Sequence, residues 1–327
     1  MIAKAALTVA MLACAGMAQA QDGAEFFNGK TVTYVVATEP GGGYDTNGRL
    51  VAEFMQKHLP GSTFVVRNMP GAGHIVGANY IYGSEPDGLT IGTFNTGLIY
   101  GQIVGDPGIR FDLTKYSWVG NIASDARVIV TSAQSGIRDF ESLQALDEPI
   151  RFGGGGVTSA ATVETILLAR ALDLKIDVIT GYNGNETEMA MRRGEIMGVL
   201  NPRSSREVFV NDSHGQFLLQ FGGKNADVPQ ARDVITDPAA QSALSLIEVQ
   251  GTIARLTAAP PGVPADRLAA LQDAYLAATR DPEFLERAAA LRLPVEPRIG
   301  DEVGHAISAA LDQPEDVTNM LKAALLR

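Results

Sequence analysis

The sequence predicts an α/β protein built from two lobes. Short apolar runs alternate with helical patterns from Thr31 onward, which is typical of βαβ units around a mixed, mainly parallel sheet. A strand, a glycine turn and a helix follow one another twice, at Thr33–Arg49 and at Ile150–Leu168. The length of 327 residues and an apolar content of 46% suit one large or two medium domains.

The first alternating set covers residues 31–131. Turns rich in proline and glycine, such as Pro60-Gly61 and Pro86-Asp87-Gly88, separate its elements. The predicted strands are Thr31–Ala37, Thr63–Arg67, Leu89–Phe94, Trp118–Ile122 and Arg127–Thr131, and the predicted helices are Asp45–His58 and Ile75–Gly83.

A second alternating set follows, and the chain then becomes helical. Proline near the first turn of several of the last helices favours helix starts there. The predicted strands are Ile150–Phe152, Ile176–Thr180, Ile196–Leu200, Phe217–Phe221 and Thr252–Thr257. The predicted helices are Ser142–Leu146, Thr158–Leu172, Asn185–Arg193, Ser204–Val210, Pro264–Thr279, Pro282–Leu291, Gly300–Leu311 and Pro314–Leu326.

Residues 1–20 have the pattern of a signal peptide. Lys4 supplies a positive charge, Ala5–Ala15 is a short apolar stretch, and Ala18-Gln19-Ala20 places small residues at the cleavage spacing. A buried N-terminal helix is the alternative. The single cysteine, Cys14, lies in this segment, and Met11-Leu12-Ala13 before it fits a lipidation signal poorly. We therefore expect an exported protein whose mature chain has no cysteine chemistry.

The net charge limits the partners. A formal charge of −11 and a pI near 4.9 argue against a nucleic-acid partner or an anionic membrane surface, because both require a basic patch. The same charge and pI are compatible with a small anionic ligand, because local N–H groups and an arginine can oppose the overall negative charge.

The two glycine turns predict such an anion site. The backbone at a helix start carries unpaired N–H groups and the positive end of the helix dipole, and glycine allows close approach. Either turn alone could be a plain βα connection. Two of them suggest facing helix starts with a small anion held between the lobes.

Motifs for catalysis and cofactors are missing from the sequence. The four histidines, His58, His74, His214 and His305, have no zinc-ligand spacing, and no G-x-S-x-G segment supports a serine hydrolase. Gly41-x-Gly43-x-x-Thr46 lacks the third glycine of the dinucleotide-binding pattern, and there is no P-loop. We therefore expect a non-enzymatic protein without a metal or cofactor.

An ordered set of motifs resembles a known family. The set consists of Pro40–Asp45 with Arg49, Asn68–Gly73 followed by Gly77-Ala78, Pro86–Thr90, Gly153–Ser159, Gly181–Gly184 and Ala259–Pro264. In this order the motifs resemble those of the extracytoplasmic solute receptors of tripartite tricarboxylate transporters, also called Bug proteins. The likeness extends over most of the chain after the leader.

The resemblance implies a type II-like two-lobed periplasmic binding fold that the chain crosses twice. Lobe 1 would comprise residues 21–124 and 248–327, and lobe 2 residues 125–247. It also implies a periplasmic receptor that closes over a small carboxylate and delivers it to the membrane permease subunits of such a transporter. We expect this receptor to be a monomer. The alternatives are an exported enzyme acting on a small acid and a sensor for a membrane signalling partner.

The resemblance also implies where the carboxylate binds. The family holds it largely with backbone N–H groups and waters, here from Gly41–Thr46 and Asn95–Leu98, opposite Gly155–Ser159 and the Tyr182-Asn183 turn. The candidate ligand-binding residues are Gly42, Gly43, Tyr44, Asp45, Thr46, Asn95, Thr96, Gly97, Gly155, Gly156, Thr158, Ser159, Tyr182, Asn183 and Arg203.

Three of these candidates have a structural alternative. Asp45 could contact the ligand or stabilise its helix start, and Tyr44 could line the pocket or only cover the turn. Arg203 could bind a second carboxylate in a bidentate way or form a surface ion pair. Met69 and His74 depart from the arginine and glycine that the family often has.

Overall fold

The computed structural model describes residues 23–325 and contains two β-sheets with helices on both faces. In chain order, the strands are β1 Thr31–Val36, β2 Thr63–Asn68, β3 Thr90–Thr93, β4 Ser117–Ala123, β5 Arg127–Ser132, β6 Ile150–Gly153, β7 Ile176–Ile179, β8 Gly198–Pro202, β9 Gly215–Phe221, β10 Ala254–Ala259 and β11 Arg298–Ile299.

The α-helices are numbered in the same way. They are α1 Gly43–His58, α2 Ile75–Tyr82, α3 Leu98–Val104, α4 Phe140–Gln144, α5 Ala160–Ala171, α6 Glu186–Arg193, α7 Glu207–Asn211, α8 Ala231–Val234, α9 Pro238–Thr252, α10 Ala265–Arg280, α11 Pro282–Ala290, α12 Asp301–Leu311 and α13 Glu315–Leu325.

The first sheet has the strand order β11-β4-β10-β3-β1-β2. Strands β1, β2 and β3 are parallel, whereas β10 runs antiparallel to both β3 and β4. The interior strand β1 is rich in β-branched residues, which suit a pleated, buried position. Apolar side chains of α1 and α10 cover one face, and those of α2, α3 and α12 cover the other.

The second sheet has the order β7-β6-β8-β5-β9. Strands β6, β7 and β8 are parallel, and β5 pairs antiparallel with β8 and β9. Helices α5 and α9 pack on one face and α6 on the other. The chain passes to this sheet between β4 and β5 and returns between α9 and β10, so two short crossings join the sheets.

The C-terminal helix α13 lies against helices that belong to both sheets. Val317 and Leu321 pack with Tyr100 of α3 and with Val163 and Leu167 of α5. This contact buries apolar surface where α3 and α5 meet, so the association of the two sheets does not depend on the crossings alone.

The structure confirms the predicted two-lobed α/β fold class and differs from the sequence prediction in several elements. Helices α3, α8 and α9 and the short strand β11 were not predicted. Helix α9 follows a helical apolar pattern, with Ala240, Leu244 and Ile247 facing the second sheet. The helix predicted at Ser204–Val210 starts only at Glu207, because Arg203–Ser205 forms a tighter 3₁₀ turn.

The predicted signal peptide and Cys14 lie outside the described residues. Between residues 23 and 325, none of the helices combines the length and the apolar character that crossing a bilayer requires.

Asp281 connects α1 to the start of α11 and gives a stability test. Its carboxylate accepts from Lys57 at 2.9 Å, from His58 at 2.8 Å and from the Glu283 N–H at 3.0 Å. The hydrogen bond from Lys57 above all lowers the pKa of Asp281 from 3.8 to about 2. Because the folded-state pKa is depressed, this stabilisation is present above pH 3.8 and is lost as the pH falls towards 2.

We therefore expect Asp281→Asn to lower the melting temperature at pH 7 and to have a shrinking effect between pH 4 and pH 2. Melting curves of both proteins across this range test the expectation. A difference in melting temperature that is the same at every pH would contradict the assigned ion pairs.

Candidate functional site

A cleft of about 670 Å³, including space open to solvent, lies where loops of the two sheets meet. Glycine turns after β1 and β6 form part of its walls. Eight of the residues expected from the sequence line it, namely Gly42, Gly43, Tyr44, Asn95, Gly155, Ser159, Tyr182 and Asn183.

The remaining candidates do not line this cleft. Gly156 and Thr158 line a neighbouring pocket together with Gly73 of the first lobe. Gly97 packs against α5, since a Cβ at Gly97 would lie 2.3 Å from the Ala160 nitrogen. Thr46 and Thr96 also lie outside the lining, so the structure brings together only part of the expected set.

Asp45 stabilises the turn at the start of α1, which is the structural one of its two predicted roles. Its carboxylate accepts from the Gly41 N–H at 2.9 Å and from Asn68 at 2.8 Å, and it pairs with Arg49 at 3.0 Å. Burial acts to raise the pKa of Asp45, but the three partners outweigh this effect, so the pKa lies below its ordinary value. The ionised side chain closes the glycine turn and does not line the cleft.

Arg203 lies away from the cleft. Its guanidinium pairs with Glu207 and donates to Asp227 at 2.8 Å, and it lines a separate pocket beside the two crossings. The expected bidentate contact between Arg203 and a second carboxylate therefore has no geometric support. Arg206, three residues later, lines the cleft instead.

The first glycine turn leaves N–H groups available at the cleft. Gly42 is the N-cap of α1, and no side chain caps this helix. The N–H groups of the first helical turn have no partner within a helix, so an anion in the cleft can accept them. A Cβ at position 43 would lie 2.7 Å from the Ser205 hydroxyl, so the Ser205 side chain would have to move to admit a larger residue.

The second glycine turn differs from the first. Ser159 caps α5 by accepting from the Thr162 N–H at 3.4 Å, and the Thr162 hydroxyl donates to the Gly156 carbonyl at 2.9 Å. One of the helix-start donors is thus already satisfied by the protein. The two helix starts therefore differ in their capping.

Arg127 is a cleft residue that the sequence analysis missed. It comes from β5, and its Nε donates to Glu164 of α5 at 2.7 Å; Glu164 also accepts from the Tyr100 hydroxyl at 3.2 Å. Burial raises the pKa of Glu164 to about 7, against the lowering effect of Arg127. This buried network joins α3 and β5 through α5.

Arg206 and Arg255 are two further buried cations near the cleft. Arg206 donates to Glu188 at 2.8 Å and to the Gly184 carbonyl at 3.3 Å. Arg255 lies under the ring of Tyr44, with its guanidinium carbon 4.6 Å from the ring centre, and it donates to Ser205 at 3.0 Å. Tyr44 therefore both lines the cleft and covers a buried guanidinium.

Glycines also bring the backbones of the two lobes into contact. A Cβ on Gly42 would lie 3.0 Å from the Gly184 Cα, and a Cβ on Gly156 would lie 2.7 Å from the Gly73 Cα. These pairs join the loop after β1 to the loop after β7, and the loop after β2 to the loop after β6. Side chains at these positions would hold the loops apart.

Among the described residues, no group of three or more histidine, cysteine or acidic side chains is arranged to hold a metal ion. The lining of the cleft is instead made of backbone, hydroxyl, amide and arginine groups, with Glu39 as its acidic member. Donors of this kind suit a small anion.

The chain is similar in sequence to known proteins. The family model described as "Tripartite tricarboxylate transporter family receptor" matches residues 48–302. The UPF0065 protein in the TAR-I ttuE-ttuC' intergenic region of Agrobacterium vitis is 27% identical over 310 residues, which is 91% of this chain and 83% of that protein.

Two solved structures have the same fold. MatC from Rhodopseudomonas palustris, solved with bound malate, has a TM-score of 0.71 and 20% identity, and the match covers 88% of this chain and 99% of that one. Rpa4515 of R. palustris, solved with adipate, has a TM-score of 0.72 and 16% identity, with 89% and 97% covered. Since the family model matches well over half of the sequence, this chain belongs to the tripartite tricarboxylate transporter receptor family.

Proposed function

We propose that this protein is a periplasmic receptor that captures a small carboxylate between two lobes and passes it to the permease subunits of a tripartite tricarboxylate transporter. The lobes would be residues 21–124 with 248–327 and residues 125–247. The ligand stabilises the closed arrangement by contacting both lobes, and it shifts the population towards that arrangement. Binding and release, rather than catalysis, are the function.

One observation carries this proposal. The uncapped start of α1 at Gly42 and the guanidinium groups of Arg127 and Arg206 line the same cleft. Backbone N–H groups and guanidinium groups together offset the loss of hydration when a carboxylate is buried. The malate and adipate bound in the two proteins of the same fold are ligands of this class.

A thermal-shift panel tests the ligand class. Mono-, di- and tricarboxylates, aromatic acids, amides and neutral sugars are added to the purified protein, and melting is followed. A matching acid at 100 times its Kd should stabilise the fold by about 2.7 kcal/mol. A shift produced by neutral sugars alone would overturn the carboxylate assignment.

Gly43→Val should weaken binding of the acid found in that panel by at least about tenfold. The branched side chain would occupy the space next to Ser205 and Arg255 and would block the approach of a ligand to the α1 start. Isothermal titration measures the effect. The control is Gly304→Ala. Gly304 lies on α12 away from the cleft, and its added Cβ would contact Trp118 of β4. Wild-type affinity in a folded Gly43→Val protein would contradict ligand binding at the start of α1.

A further inference from the structure

His74 has a backbone conformation that glycine usually adopts. It is the residue before α2, and its φ of 83° lies in the left-handed region. Positive φ angles also occur at Gly71, Ala72 and Gly73, which precede it in the same loop. This conformation is uncommon for a residue with a Cβ, and such strain is often found where the position of a side chain matters for function.

The imidazole ring of His74 is held against the end of β1. Its Nδ1 lies 2.8 Å from the carbonyl oxygen of Ala37, which can only accept, so Nδ1 carries a proton and donates it. Burial lowers the pKa of His74 below its ordinary value, so the ring is neutral at pH 7 and Nε2 presents a lone pair. His74 is therefore an uncharged wall and not a partner for an acidic group.

His74 also lies at the boundary between two cavities. One is the cleft described above, and the other is the neighbouring pocket, which measures about 1070 Å³ including space open to solvent. The residues that line both are Thr38, Glu39, His74, Gly155 and Asn183, and His74 has the only ring among these five. Its size and its fixed position make it the side chain best placed to limit passage from the cleft into the pocket.

The neighbouring pocket differs from the cleft in its chemistry. Pro70, Ile75 and Val157 give it apolar surface, and Val157 is 59% exposed. Its charged side chains are those of Glu39 and Asp106, and no arginine or lysine of residues 23–325 lines it. Two carboxylates without a cation disfavour a second acidic group, whereas an apolar chain could bury its surface there.

We propose that His74 is a specificity-determining residue that limits the length of the ligand by closing the cleft towards the neighbouring pocket. This inference rests on the proposed function, in which the acid binds at the start of α1. In the wild-type protein the His74 ring confines the rest of the acid to the cleft. Without the ring, an uncharged apolar tail extends into the pocket and contacts Ile75 and Val157.

A chain-length series tests this role as a gain of binding. Kd values are measured by isothermal titration for wild type and His74→Gly, with butyrate, hexanoate and octanoate and with the diacids succinate, adipate and suberate. Glycine suits the φ of 83°, so the variant relaxes the backbone while it removes the ring.

We expect wild type to bind octanoate at least about tenfold more weakly than butyrate. His74→Gly should bind octanoate at least about tenfold more tightly than wild type does, and its affinity for butyrate should change by less than about threefold. Suberate has the same length but ends in a second carboxylate, which Glu39 and Asp106 disfavour, so it should gain less than octanoate.

Ala72→Gly is the matched control. It relaxes a φ of 46° in the same loop, and Ala72 lines the neighbouring pocket but not the cleft. The wild-type preference for chain length should be unchanged in this variant. If His74→Gly does not fold, His74→Asn carries the same comparison with a smaller gain, because asparagine tolerates the left-handed conformation. Ligand-free melting curves report whether each protein is folded.

The possible outcomes separate this role from the receptor function. Unchanged octanoate affinity in His74→Gly, an equal gain for suberate, or a wild type that already binds octanoate as tightly as butyrate would overturn the role of His74 and leave the receptor function standing. A wild type that binds none of the six acids would also overturn it. If, in addition, no acid of the thermal-shift panel stabilised the protein, the proposed function would be wrong as well.

Discussion

Gly156→Ala is expected to weaken ligand binding by about 10- to 100-fold, because the lobe closure proposed above brings Gly156 against Gly73. The added Cβ would lie 2.7 Å from the Gly73 Cα and 2.8 Å from the Gly73 nitrogen, which is closer than real Cβ atoms come to such atoms. Both neighbours are backbone and cannot rotate away. The loops after β2 and β6 must therefore separate, and the arrangement that holds the ligand on both sides becomes harder to reach.

Titration with the cognate acid and small-angle X-ray scattering of the ligand-saturated protein test this expectation. The variant should remain more extended than wild type at saturating ligand. Val157→Ala is the matched control, because it changes the next residue of the same loop, is 59% exposed and adds no atoms. Wild-type affinity together with the wild-type radius of gyration in Gly156→Ala would show that the Gly73–Gly156 contact does not limit closure.

This glycine pair shows what the sequence could and could not predict. Glycine after a strand identified both turns and suggested two facing lobes. It did not identify Gly73 and Gly156 as partners, because these glycines are 83 positions apart in the chain and their contact depends on how the two sheets associate. The local pattern therefore predicted the type of each element, and the association of the sheets decided which loops meet.

The arginines near the cleft could not be identified from the sequence for the same reason. Arg127, Arg206 and Arg255 come from β5, from the turn before α7 and from β10, and no local pattern connects them. Arg203 was a sequence candidate because it follows the predicted strand Ile196–Leu200. Arg203 begins the 3₁₀ turn Arg203–Ser205 and Arg206 follows it, and Arg206 rather than Arg203 lines the cleft.

Asp45 illustrates a choice that the sequence left open for a physical reason. A carboxylate at a helix start suits a ligand contact and helix stabilisation equally well. Only the positions of Asn68 and Arg49 in the fold decide between them, and both donate to Asp45.

The second large effect is a loss of stability, which is expected on substitution of Glu164, the fully buried partner of Arg127. In Glu164→Ala, Arg127 keeps its charge in the interior and loses its carboxylate, and Tyr100 loses an acceptor. Removing one member of a buried ion pair costs about 3–5 kcal/mol of unfolding free energy. Urea denaturation at pH 8, above the pKa of Glu164, measures the loss, and a variant as stable as wild type would contradict the burial of this pair.

A double variant separates the two roles of Arg127. Arg127→Met/Glu164→Leu removes both charges and replaces them with apolar groups, so it should recover most of the stability lost in Glu164→Ala. Arg127 also lines the cleft, and the double variant should therefore still bind the cognate acid more weakly than wild type. Recovered stability with wild-type affinity would assign Arg127 to the fold alone, whereas recovered stability with weak binding would place its guanidinium against the ligand.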